Sequence, residues 1–139
     1  MPTLFTRIIN GEIPGRFIWR DDRVVAFMTI APIKPGHVLV VPISEIDHWI
    51  DAPDDLRNHL MDVAAQIGKA QMSAFHPARV GVIIAGLEVP HLHVHVIPID
   101  AERDLNFANA NGSATDEELE EAAGKLRAAL AGNPNVSGV

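Results

Sequence analysis

The feature that most constrains the fold is a run of alternating residues around position 93. Residues 91–98 have the sequence HLHVHVIP, in which His91, His93 and His95 alternate with aliphatic residues. Successive side chains point to opposite faces of a β-strand, whereas positions i and i+2 lie on different sides of a helix. The alternation therefore predicts a strand that carries three imidazoles on one face and turns its aliphatic side chains toward the core.

Other segments predict a mixture of strands and helices around this strand. Runs of β-branched and aromatic residues predict strands at 16–20, 24–30, 38–42 and 78–86. Helical spacing and capping residues predict a turn or two of helix after Leu4, a long helix over about 54–75 and a C-terminal helix over about 115–131. Because short turns join the strands, we predict an α+β fold, an antiparallel sheet of about five strands with the long and C-terminal helices packed on it.

Composition narrows the class of protein. The length of 139 residues fits one domain spanning residues 1–139, and the absence of cysteine excludes disulfides, cysteine nucleophiles and thiolate metal sites. A net charge of −7 argues against stable binding of nucleic acid or of an anionic membrane. The sequence shows neither a membrane-spanning apolar run nor the pattern of a signal peptide, so we expect a soluble, cytoplasmic protein.

The three alternating histidines are compatible with three kinds of role. They could be structural residues that hydrogen-bond to backbone carbonyls. They could bind a metal, although parallel side chains on one strand converge poorly on one ion, and His37 or a carboxylate would have to complete the site. Alternatively, the central imidazole could attack phosphorus while its neighbours orient it and donate hydrogen bonds to phosphate, with His93 as the nucleophile.

Several motifs resemble those of the histidine triad (HIT) family. HLHVHVIP resembles the family signature H-x-H-x-H-x-x, and PGHVLVVP at 35–42 resembles its P-x-H-x-L-V-x-P segment. FTRIINGEIP at 5–14 resembles the opening F-x-x-I-I-x-G-E-I-P, and AFMTIAP at 26–32 stands where the family places a strand end that contacts base and ribose. The resemblance spans about residues 4–100, with the motifs in the family's order.

This resemblance implies a HIT-like fold and a nucleotide phosphohydrolase or nucleotidyl transferase. The implied reaction forms a covalent nucleotidyl-histidine on His93, from a nucleoside phosphoramidate, a dinucleotide or a related nucleotide. His91 and His95 would flank it and His37 would be a fourth histidine beside them. No cofactor and no catalytic metal are implied, and the family usually forms a homodimer whose two sheets join. The implied base-pocket residues are Leu4, Phe5, Ile8, Phe27 and Ile30.

Three positions in the expected nucleotide site depart from the family pattern. Thr29 replaces the acidic residue that holds the ribose, and Leu87 replaces an amide side chain. Glu88 stands where a serine or threonine contacts phosphate, so its carboxylate would either repel phosphate or, if protonated, donate to it. These departures leave open a nucleotide-binding module with little catalytic activity. A metal-dependent cupin-type enzyme is disfavoured, because it would be nearly all β.

The N-terminal segment predicts that no structural zinc is bound. Some family members hold zinc through a Cys-x-x-Cys at the opening, and in this chain Thr3 and Thr6 stand at those positions.

Overall fold

A five-stranded antiparallel sheet forms the centre of the molecule. A computed structural model of the chain describes residues 1–136. The strands are β1 (Phe17–Arg20), β2 (Val24–Met28), β3 (Val38–Pro42), β4 (Arg79–Ile83) and β5 (Val94–Ile99), in the spatial order β1-β2-β3-β5-β4. The helices are α1 (Leu4–Ile9), α2 (Asp54–Phe75) and α3 (Asp116–Ala129). The predicted α+β fold with an antiparallel sheet of five strands is confirmed.

One face of the sheet packs against α2 and α3. The buried stripe of α2 includes Leu56, Leu60, Val63 and Ile67, which recur at helical spacing and join the same apolar cluster as Leu126 of α3. Asp54 and Asp55 occupy the first turn of α2, where carboxylates interact favourably with the helix dipole. Within residues 1–136, no helix is long and apolar enough to cross a membrane.

The opposite face of the sheet carries α1 and the histidines. Phe5 and Ile9 of α1 form a separate apolar cluster with side chains from β1, β2 and β3. Because side chains alternate along a strand, Phe27 faces this side while Ala26 and Met28 face α2 and α3. The strand register places Phe27 opposite Leu39 and Leu39 opposite His95, so α1 lies close to the histidine segment.

The histidine segment differs from its predicted strand in where the strand begins. β5 starts at Val94, and His91 to His93 precede it as extended chain held by the bond from Leu92 N–H to the Ile46 carbonyl (2.6 Å). Ladder pairing with β3 stops at the Val40–Val94 pair, because β3 ends two residues later at Pro42, which has no N–H to donate. The alternation itself persists, since Leu92, Val94 and Val96 all belong to the core beneath α2.

The observed ends of other strands and helices also differ from the predicted ends by a few residues. The strand predicted at 78–86 is shorter, Arg79–Ile83, and the strand predicted at 24–30 ends at Met28. Thr29 and Ile30 therefore lie in the connection that leads to β3. The C-terminal helix predicted over 115–131 spans Asp116–Ala129, with Thr115 as its N-cap.

Candidate active site

Four histidine rings are gathered on the α1 side of the sheet. His91, His93 and His37 are buried and His95 is partly exposed. The ring centres of His93 and His95 lie 5.0 Å apart, and those of His37 and His95 lie 5.2 Å apart. The sequence prediction that these four residues lie together therefore agrees with their positions in the fold.

A proline-glycine turn positions His37. The His37 N–H donates to the Lys34 carbonyl (3.1 Å), and Gly36, at the third position of this turn, has a φ of +91°. Pro35 and Gly36 occupy the positions that a type II turn assigns to proline and glycine. The turn ends next to β3 and directs the His37 ring toward β5.

Hydrogen bonds assign the protons of His37 and His95. The N–H of Ile33 donates to His37 Nδ1 (3.0 Å), so His37 carries its proton on Nε2. That Nε2–H donates to His95 Nδ1 (2.9 Å). Because His95 Nδ1 is an acceptor, a neutral His95 carries its proton on Nε2 and can donate it to another group.

Burial keeps His37, His91 and His95 neutral near pH 7. Desolvation, reinforced by the charge on His95, lowers the pKa of His37 from 6.5 to about 3. Desolvation, reinforced by His93, lowers the pKa of His95 to about 4. Burial also lowers the pKa of His91. His37, His91 and His95 are therefore neutral imidazoles rather than a group of cations.

His93 has one nitrogen engaged and one lone pair available. Its Nδ1–H donates to the backbone carbonyl of His91 (2.7 Å), which can only accept, so Nε2 carries the lone pair. The Phe5 ring packs edge-on against the His93 ring with centres 4.9 Å apart. His93 also lines the two cavities described below, so the ring is both held in place and accessible from a pocket.

His91 has a different environment. Its Nε2–H donates to the Pro42 carbonyl (2.7 Å), and its Nδ1 lies 2.6 Å from the Thr3 hydroxyl. Both ring nitrogens are thus engaged within the protein. The backbone carbonyl of His91 accepts His93 Nδ1–H, which is consistent with the predicted role of His91 in orienting His93. The predicted contact of His91 with phosphate stays a prediction.

A cavity of about 400 Å³ opens beside His93 and His95. Its walls come from α1, from the end of β2 and from the segment before His91. All seven residues predicted to bind a nucleotide line it: Leu4, Phe5, Ile8, Phe27, Thr29, Ile30 and Glu88. Further lining residues that the sequence prediction missed include Ile13, Pro14 and Arg16, which follow α1, and Leu39 of β3.

A second cavity, of about 130 Å³, shares His93 and His95 with the first. It is lined by residues 85–88 together with His93, His95 and Phe107. The Phe107 ring lies 4.9 Å from the His95 ring, and sequence reasoning missed it. The available signal was an isolated aromatic residue within the polar segment 101–113.

Charges around the two cavities are few. Arg16 is paired with Asp116 (3.0 Å) and Glu120 (3.3 Å). Glu88 lines both cavities, as His93 does. Among residues 1–136, no three histidine or acidic side chains are grouped so that they could hold a metal ion.

Thr29 has a local role that the sequence pattern did not suggest. Its hydroxyl accepts the Ala31 N–H (3.2 Å) and so stabilises the turn that leads out of β2. The hydroxyl can still donate its proton to a group in the larger cavity.

Comparisons with known proteins agree with this architecture. The family model described as HIT domain matches residues 10–102. The chain is 33% identical over 127 residues to an uncharacterized HIT-like protein of Methanocaldococcus jannaschii, covering 87% of this chain and 98% of the relative.

Solved structures show the same likeness. The crystal structure of a Hit-like protein involved in cell-cycle regulation from Bartonella henselae has a TM-score of 0.79 and 33% identity, covering 92% of this chain and 96% of that one. The crystal structure of a HIT family hydrolase from Legionella pneumophila has a TM-score of 0.60 and 29% identity, and the match covers 69% of this chain and 91% of that one. The motifs, the fold and these matches together show that the chain belongs to the HIT domain, or histidine triad, family.

Proposed function

We propose that this protein is a nucleotide hydrolase or nucleotidyl transferase that forms a covalent nucleotidyl-histidine on His93. The observation that carries the proposal is the state of the His93 ring, whose Nδ1–H is held by the His91 carbonyl while Nε2 keeps a lone pair beside two cavities. Membership of the HIT family and the likeness to a HIT family hydrolase support a hydrolase-type function.

The two cavities suggest how a substrate is arranged. The larger cavity is mainly apolar, with the Phe5 and Phe27 rings packed edge-on at 5.5 Å, and suits a nucleoside base. The smaller cavity suits a leaving group. His93 and His95 line both, so a phosphoryl group that joins the two parts of the substrate lies against these two rings.

In the first step, the lone pair on His93 Nε2 attacks phosphorus. The bond from phosphorus to the leaving group breaks, and the leaving group departs with the electron pair and takes a proton from water. The positive charge that develops on the His93 ring is stabilised because Nδ1–H remains bonded to the His91 carbonyl. His95 donates Nε2–H to a phosphoryl oxygen, since its Nδ1 is occupied by His37.

In the second step, water attacks the phosphorus of the nucleotidyl-histidine. The bond between phosphorus and Nε2 breaks, its electron pair returns to the imidazole, and the attacking water loses a proton to solvent. The products are a nucleoside monophosphate and His93 in its starting state. A different acceptor hydroxyl or amine in place of water would make the same intermediate serve a transferase.

One observation favours a nucleotide-binding module with little activity as a second candidate. The Glu88 carboxylate lines both cavities, and an anion there repels a phosphoryl group that approaches His93. Binding of a nucleoside monophosphate without turnover of any phosphoramidate or phosphoanhydride would support this candidate over the enzyme.

The test compares wild type with His93→Ala on adenosine 5′-phosphoramidate. We expect turnover to fall by at least about a thousandfold, as is typical when a covalent nucleophile is removed. The control is His76→Asn, which replaces the exposed C-cap residue of α2, where φ is 52°, with a residue that tolerates this conformation. Wild-type turnover in the His93→Ala variant, with circular dichroism showing a folded chain, would reject the role of His93.

A further inference from the structure

A hydrogen-bonded cluster fastens the start of α1 to the histidine segment. It consists of Thr3, Thr6, Glu45 and His91, which come from three distant parts of the chain. Glu45 Oε2 accepts both the Thr3 N–H (2.7 Å) and the Thr6 hydroxyl (2.7 Å). Thr3 is also the N-cap of α1, since its Oγ1 accepts the Thr6 N–H (3.1 Å).

The direction of the bond between Thr3 and His91 follows from the partners of His91. The Pro42 carbonyl can only accept, so His91 Nε2 carries the proton. A neutral His91 therefore has a lone pair on Nδ1. The single proton of the Thr3 hydroxyl has two acceptors within reach, His91 Nδ1 at 2.6 Å and Thr6 Oγ1 at 3.2 Å, and the shorter contact to His91 takes it. A donor at this nitrogen favours one neutral tautomer of His91 over the other and over the cation.

Two sets of contacts connect this cluster to His93. Through the backbone, the carbonyl of His91 is the group that accepts His93 Nδ1–H (2.7 Å). Through α1, the Phe5 ring packs against His91 with centres 5.7 Å apart and against His93 at 4.9 Å. Any change that frees the His91 ring therefore disturbs the acceptor that sets the tautomer of His93.

We propose that Thr3, held in place by Glu45, is a positioning residue for His93: its hydroxyl fixes the His91 ring, and the fixed His91 carbonyl keeps the proton of His93 on Nδ1. This inference rests on the proposed function, in which His93 Nε2 is the nucleophile. The described residues that line the larger cavity include Leu4, Phe5 and Ile8 but not Thr3. Thr3 therefore acts on the reaction step rather than on nucleoside binding.

Glu45 is suited to hold Thr3 over a wide range of pH. The backbone N–H of Thr3, followed by the Thr6 hydroxyl, lowers the pKa of the Glu45 carboxyl. Desolvation lowers the pKa of His91, and the hydrogen bond to the Pro42 carbonyl opposes it. Of the charged neighbours, Glu45 raises the pKa of His91 and His93 lowers it.

The test uses Thr3→Val, which keeps the shape of the side chain and removes the hydroxyl. We expect kcat on adenosine 5′-phosphoramidate to fall about tenfold, the loss expected for one hydrogen bond to a positioned group. KM should stay within about threefold of wild type, because Leu4, Phe5 and Ile8 remain in the cavity wall. Thr3→Ser, which restores a hydroxyl, should recover most of kcat, and Glu45→Gln should give an intermediate loss.

Thr115→Val is the matched control for loss of a helix cap. Thr115 is the N-cap of α3 and accepts the Glu118 N–H (3.1 Å), as Thr3 accepts the Thr6 N–H, but α3 lies on the other face of the sheet. This variant should lower thermal stability and leave kcat unchanged. A rise in KM in Thr3→Val with kcat preserved would instead indicate a structural role at α1 and overturn the proposal.

Nitrogen-15 NMR of the histidine rings provides a readout that does not depend on turnover. We expect His91 protonated on Nε2 and His93 on Nδ1 in wild type and in Thr3→Ser, and loss of the single His93 tautomer in Thr3→Val. Unchanged ring states in Thr3→Val overturn the proposal even if the protein is an enzyme. If wild type turns over no nucleotide, the proposed function fails. The claim that Thr3 keeps the proton of His93 on Nδ1 is then still tested by these spectra.

Discussion

The buried His37 should make the protein lose stability in mild acid. The pKa of this imidazole falls from 6.5 to about 3 because the ring is removed from water, and the charge on His95 adds to the effect. Unfolded His37 takes up a proton near pH 6.5, whereas folded His37 does so only near pH 3. Its contribution to stability is therefore complete above pH 6.5 and is lost as the pH falls through this window toward 3.

The size of the effect follows from these two pKa values. Proton linkage gives a loss of about 2 kcal/mol in the free energy of unfolding between about pH 7.5 and about pH 5. At about pH 5, His37 is protonated in almost all of the unfolded chains and neutral in almost all of the folded ones. His95, with a pKa of about 4, contributes in the same direction. His37→Gln removes the titration of residue 37 while its amide can still accept from Ile33 N–H and donate to His95.

The assay is urea unfolding at a series of pH values, followed by tryptophan fluorescence, to which the buried Trp19 and the exposed Trp49 contribute. We expect wild type to lose about 2 kcal/mol more than His37→Gln between about pH 7.5 and about pH 5. The His76→Asn variant, which changes an exposed histidine, should keep the wild-type pH dependence. Parallel curves for wild type and His37→Gln, within about 0.5 kcal/mol, would show that His37 is not held neutral by burial.

Two further predictions concern the cavities and the sheet edge. Glu88→Gln should improve the binding of adenosine diphosphate relative to that of the monophosphate by about threefold or more. The reason is that two unit charges about 6 Å apart repel by about 0.7 kcal/mol in water and by more in a cleft. An unchanged ratio of the two affinities in titration calorimetry would contradict this prediction. Val82 lies on the edge strand β4, is 42% exposed and lines a groove of about 470 Å³. We expect it to lie in the homodimer interface that the family resemblance implies. Val82→Lys should then give a monomer by light scattering, and a wild-type monomer or a dimeric variant would refute the interface.

The parts of the fold that were predictable from sequence depend on local periodicity. The alternation of Leu92 and Val94 with the histidines predicted which side chains enter the core. Side chains of an extended chain alternate between two faces even where its hydrogen bonds to the neighbouring strand are incomplete. The stripe of α2 was visible for the same reason at helical spacing. The start of β5 at Val94 was not predictable, since it depends on where the partner strand β3 ends.

The residues of the candidate site also fall into those that the sequence predicts and those that only the tertiary fold brings together. The histidines and the cavity residues Phe5 and Phe27 lie in recognisable motifs, so their proximity could be predicted. Phe107 reaches His95 from a loop with no periodic pattern, and only the tertiary fold brings it there. The same is true of Thr3 and Glu45, which lie 42 positions apart in the chain and meet through a hydrogen bond that no local pattern encodes.

The most direct test of the account is mass spectrometry of protein quenched in acid-free conditions during turnover of a nucleoside phosphoramidate. If His93 Nε2 is the nucleophile, a nucleotidyl group should be found on the peptide that contains residues 91–98, attached to His93, and it should be absent from the His93→Ala variant. Turnover without any adduct, or an adduct on a different residue, would contradict the central claim.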